Sequence, residues 1–139
     1  MVRKQAFLVL TVVALASCGR AKTLSSAELR SNLASSISLA SETDIFAGQI
    51  EEGRLLPAFQ SGHAAYLRSE AKREAKGLRK SSPQPSQLQV VRLCIEQLDL
   101  LSRELALISE KQGHGKDFPA IRQRVQAILK SLTAAKAGL

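Results

Sequence analysis

The chain has 139 residues, 45% apolar and 23% charged, a balance that suits one globular domain and excludes wholesale disorder. Eight glycines, four prolines, two cysteines, no tryptophan and 4% aromatics exclude a collagen-like repeat and a disulfide scaffold, and argue against an aromatic-rich β-sandwich. The formal net charge of +8 keeps acidic partners in view.

Arg3 and Lys4 precede an apolar stretch running from Ala6 to Ala16. A membrane-crossing helix needs about 20 such residues, and this stretch ends early, at Ser17, Cys18, Gly19 and Arg20. A cationic start, a short apolar run and a small-residue exit make an export signal, with the cations holding the first residues on the cytoplasmic side. Leu15-Ala16-Ser17-Cys18 resembles the lipobox of bacterial lipoproteins at all four positions. The resemblance implies cleavage before Cys18 and a diacylglyceryl group on its thiol. Two acyl chains anchor a protein to the lipid bilayer without a spanning segment. Within that family an Asp after the cysteine commonly retains the product at the inner membrane; Gly19 therefore implies the outer membrane, facing the periplasm. The expected organisation is a signal peptide over 1–17, a lipidated cysteine and short tether over 18–24, and a helical domain over 25–139. With Cys18 lipidated, Cys94 has no thiol to pair with, so no intramolecular disulfide is expected.

The remaining spacing is helical throughout. Ser25-x-x-Glu28 predicts a capping box, followed by Leu29, Leu33, Ile37, Ala40, Ala47 and Ile50 on one face, with Gly53 as the stop. A second helix is predicted from Pro57, tolerated in a first turn, with Leu56, Phe59, His63, Tyr66, Leu67, Ala71, Ala75 and Leu78 as inward candidates. Ser81-Ser-Pro-Gln-Pro85 breaks it. Ser86-x-x-Gln89 predicts a second capping box. Beyond it Val91, Cys94, Leu98, Leu101, Leu105 and Ile108 alternate three and four like a coiled-coil seam. Val90, Leu93, Leu100 and Leu107 add a second stripe, which predicts a central position for this helix. After a turn over 112–117, Asp117 is placed to cap a fourth helix with Phe118, Ile121, Val125, Ile128, Leu132 and Ala135 inward. Four matched helices joined by short turns predict an all-α fold, an antiparallel up-down-up-down four-helix bundle.

Three groups of residues are candidate sites. Arg68, Lys72, Lys76 and Lys80 fall four apart on the second helix, with Arg73 and Arg79 beside them, a stripe suited to anionic headgroups or another envelope polyanion. Glu42, Asp44 and His63 are placed to hold a small ligand or metal between the first two helices. The turns at 52–56 and 112–117, with Glu51, Glu52, Arg54, His114, Lys116 and Asp117, form the tip expected far from the membrane. No cofactor motif, phosphate loop or Glu-x-x-His carboxylate pattern occurs, and Cys94 reads as a packed thiol rather than a nucleophile served by His63. Few aromatics and the export signal weigh against nucleic acid. The expected function is a non-enzymatic structural or adaptor lipoprotein of the cell envelope, working through a protein partner or self-association. The alternative is a lipid-anchored periplasmic binding protein for a small ligand or metal.

Overall fold

The computed structural model describes residues 23–110 and 117–139. The expected signal over 1–17, the lipidation site Cys18, and the turn residues His114 and Lys116 lie outside the described residues. Among these residues four α-helices follow one another: α1 (Ser26–Glu51), α2 (Pro57–Lys80), α3 (Leu88–Glu110) and α4 (Phe118–Ala137), with a 3-10 turn at Pro85–Gln87 ahead of α3. Among the described residues there is no strand, only an isolated bridge between Thr23 and Ser82.

Local chemistry sets the helix ends. The Ser25 hydroxyl accepts from the Glu28 amide at 3.1 Å, and the Glu28 carboxylate accepts from the Ser25 amide at 2.9 Å, completing the predicted capping box. At the other end of α1 the Gly53 amide donates to the Ile50 carbonyl and the Arg54 amide to the Gln49 carbonyl. That Schellman geometry needs a left-handed residue, and Gly53 supplies it at φ +69°. The start of α3 departs from expectation. The Gln87 side chain, not Gln89, accepts from the Gln84 amide at 2.9 Å, because Pro85 opens a tight turn before α3 begins. Asp117 does precede α4, but its side chain makes no capping hydrogen bond.

One apolar core joins all four helices. The predicted seams of α3 and α4 are buried throughout, save that Ala135 is only partly so. Around the body α1 packs on α2, α2 on α3, α3 on α4 and α4 on α1, while α1 also meets α3 across the middle. The α2–α3 contact is the most extensive. Its reason lies in Ala64, Ala71 and Ala75, all without exposure, which let the two backbones approach closely. The result is a helical bundle-like fold, and no helix among the described residues is long and apolar enough to cross a membrane.

The two ends of the body differ. Thr23 bridges Ser82, the Leu24 amide donates to the Ser82 carbonyl at 3.0 Å, and Arg30 donates to the Leu139 carbonyl at 2.7 Å. The chain's first described residues, the α2–α3 turn and the last residue therefore share one end. Leu24, expected in the tether, is buried in the core instead, since an isobutyl side chain beside an apolar cleft gains more from packing than from solvent. At the opposite end the close of α1 meets the start of α4 through Asp44 and Arg122.

Candidate functional site

The three residues proposed to hold a ligand do not converge. The Glu42 carboxylate lies 3.3 Å from the His63 imidazole across the α1–α2 junction. Asp44, two positions on and so about 200° around the helix, turns to α4 instead. There it accepts from Arg122 Nε and Gln126 Nε2, each at 3.1 Å, and Arg122 also reaches Glu51 at 3.5 Å. The hydrogen bond and the charge of Asp44 raise the Arg122 guanidinium further above its ordinary range. No group of three or more His, Cys, Asp or Glu side chains able to hold a metal occurs among the described residues.

What surrounds His63 is aromatic. Phe59 stacks on it at a centroid distance of 5.3 Å and an interplanar angle of 13°, and Tyr66 lies on its other side at 6.1 Å and 26°. The buried Phe46 of α1 meets it edge-on at 4.8 Å and 77°. The outer two rings are not core residues. Phe59 is 52% exposed and Tyr66 56%; Leu56 is 77% exposed, and Ile45, one turn beyond Glu42 on α1, is 62% exposed. The expectation that Leu56, Phe59 and Tyr66 point inward is therefore corrected. The inward stripe of α2 is Gln60, Ala64, Leu67, Ala71, Ala75 and Leu78. Phe59, His63 and Tyr66 each precede a member of it by one position, which rotates them by about 100°. The signal was present in the sequence: only the alanine-bearing stripe is small enough for the close α2–α3 contact, and the greasier rings obscured it.

The basic stripe is real as a surface but uneven as a charge. Lys72, Arg73, Lys76, Arg79 and Lys80 are exposed, whereas Arg68 is half-buried. Arg73 pairs with Glu70 within α2, and Arg79 pairs with Asp99 of α3. Arg68 Nε is enclosed and makes no hydrogen bond within the protein.

Two further polar arrangements escaped the sequence reading. Glu104, on the core-facing side of α3, is gripped by a fork from Arg124 of α4, both bonds 2.8 Å, which raises the Arg124 guanidinium above its ordinary range. Cys94, fully buried, sits 3.5 Å from the Ser36 hydroxyl, itself 3.0 Å from the Glu74 carboxylate. Burial pushes the thiol up from its ordinary range, the Ser36 hydrogen bond draws it partly back, and the Glu74 charge adds to the rise. A neutral thiol sealed behind a hydroxyl is a packing group, not a nucleophile. In comparisons with protein-family models, curated proteins and solved structures, no significant match to this chain is found.

Proposed function

We propose that this chain is a non-enzymatic adaptor of the bacterial cell envelope: an antiparallel up-down-up-down bundle carried on acylated Cys18 at the outer membrane, facing the periplasm, that docks a protein partner on its α1–α2 face. The lipobox-like Leu15-Ala16-Ser17-Cys18 carries the address. The observation that carries the docking role is the pair of exposed rings Phe59 and Tyr66 stacked about His63, with Leu56 three positions before Phe59 and Ile45 beside Phe46 in sequence, all four more than half exposed. Single exposed apolar side chains are ordinary, but aromatics gathered on one face are the composition of an interface centre. The cluster occupies the end of the body away from Thr23 and Ser82, so on an anchored bundle it points from the bilayer toward neighbours.

The occupant this face favours is an envelope protein with an apolar contact surface rimmed by carboxylates. The chain as a whole is strongly cationic, with a formal net charge of +8. A second copy would bring the same sign of charge to the rim and meet repulsion. The test places a photo-crosslinking amino acid at Tyr66 in intact cells, with Gln123 on the exposed side of α4 as control. The expected result is one discrete acidic partner captured from position 66 only. That partner, once purified, should bind the Phe59→Ser/Tyr66→Ser chain at least tenfold more weakly than the parent. Capture of a second copy, or equal capture from both positions, overturns the docking reading. Failure of a palmitate analogue to label the chain overturns the anchor.

A further inference from the structure

The strongest unassigned feature lies on the other side of α2. Ala65, Arg68, Ser69 and Lys72, one face of the helix at spacings of three and four, close a hollow of about 300 Å³ with Ser109 of α3. Its lining offers two cationic side chains and two hydroxyls and no carboxylate. Over the Arg68–Lys72 ridge lies a second cleft of about 480 Å³, lined also by Asp99, Ser102, Arg103, Ala106, Leu107 and Glu110. There Asp99 is already engaged by Arg79, Arg103 adds a cation and Glu110 a carboxylate. Neither Arg68, Lys72 nor Arg103 forms an ion pair among the described residues.

The lining fits a tetrahedral anion. Arg supplies a planar fork, Lys a mobile point charge, and two serine hydroxyls supply donors for the remaining oxygens.

We propose that the Arg68–Ser69–Lys72–Ser109 hollow between α2 and α3 binds a phosphate group, with Arg103 available to a second phosphate along the same groove. The ligand class is a phosphate monoester or a phosphate-bearing polymer. The phosphate can come from a lipid headgroup or from a soluble envelope polymer, and the chemistry of recognition is shared. The site is independent of the aromatic face and stands or falls separately from the adaptor reading.

The experiment uses the full chain in neutral detergent. Titration calorimetry with pyrophosphate and with short-chain polyphosphate is run at constant ionic strength against a chloride baseline. A parallel arm measures binding to zwitterionic vesicles with and without phosphatidic acid. Two double variants remove equal charge from the same helix: Arg68→Gln/Lys72→Gln, and Lys76→Gln/Lys80→Gln. The expected result is saturable phosphate binding weakened at least tenfold by the first variant and less than twofold by the second, both melting within a few degrees of the parent. Saturation by the soluble ligands names a polymer as the source; saturation only on phosphatidic acid vesicles names the headgroup. Equal weakening by both variants, which would reflect net charge alone, overturns the site. So does the absence of binding in both arms.

Discussion

Tyr66 and Leu67 are adjacent in sequence and stand in different environments, so replacing each by Ala tests the rotation of α2 directly. Leu67 has no exposed surface and packs in the core joining all four helices. Removing its side chain forfeits the transfer free energy and leaves a cavity that the neighbouring alanines cannot fill, a cost of about 3 kcal/mol. Tyr66 is more than half exposed. It gives up part of about 90 Å² of buried surface and a ring contact with His63, offset by the better helix propensity of Ala, for a net of about 1 kcal/mol. For a body of about 115 residues, 1 kcal/mol corresponds to about 4 °C in Tm. Leu67→Ala should therefore melt about 12 °C below the parent and Tyr66→Ala about 4 °C below, by circular dichroism at 222 nm. The binding consequences run the other way, with Tyr66→Ala losing partner capture while still fully folded. Equal melting losses, or a larger loss for Tyr66, would refute the assigned rotation and with it the docking face.

Further outcomes follow from the same geometry. Gly62 and Gly77 lie within α2 with no atom within 4 Å of an added Cβ, so each change to Ala should stabilise the chain by about 0.5–1 kcal/mol, read as a higher urea midpoint. Gly48→Ala should gain less, because its Cβ would meet the Arg122 guanidinium at 3.3 Å and press it away from Asp44. Cys94 makes stability fall at alkaline pH. Its folded pKa is raised, so the native chain keeps a proton that the unfolded chain releases above the ordinary value of 9.0. The stabilisation is complete below that pH and declines above it, by about 1.4 kcal/mol per pH unit until the raised folded value is reached. Urea midpoints measured between pH 7.5 and 10 should fall more steeply for the parent than for Cys94→Ala, and parallel curves would contradict the assignment.

The sequence made α3 and α4 legible because each carries one uninterrupted seam in which every third or fourth position is large and apolar. Helix α2 was harder. Its buried face mixes three alanines and one glutamine with Leu67 and Leu78, while the large rings of Phe59 and Tyr66 sit outside. Periodicity merged Leu56, Phe59, His63 and Tyr66 with the true inward positions and passed over Gln60 and Ala64, since separating the two stripes needs the partner helix. The same limit governs Asp44. Grouping Glu42 and Asp44 with His63 overlooked that two positions along α1 turn the carboxylates apart, and only the placement of α4 reveals Arg122 as the partner of Asp44. Glu104 is comparable: a carboxylate beside the α3 seam announces a buried cation, yet Arg124 lies 20 residues away on another helix. The Ser86–Gln89 box failed by register. Pro85 fixes the turn ahead of α3 and hands the capping task to Gln87.

The clasp between residues 23–24 and Ser82 has a mechanical side. On the proposed anchor at Cys18, holding the entering segment against the α2–α3 corner would put only five residues, 18–22, between the bundle and its lipid. Fully drawn out, five residues span at most about 18 Å. On that proposal the body would sweep a shallow zone just above the headgroups, its reach set by its own height of two dozen helical residues. Lengthening the slack with inserted Gly-Ser repeats would free the body to tumble and lower the local concentration at which it meets a neighbour fixed in the same surface.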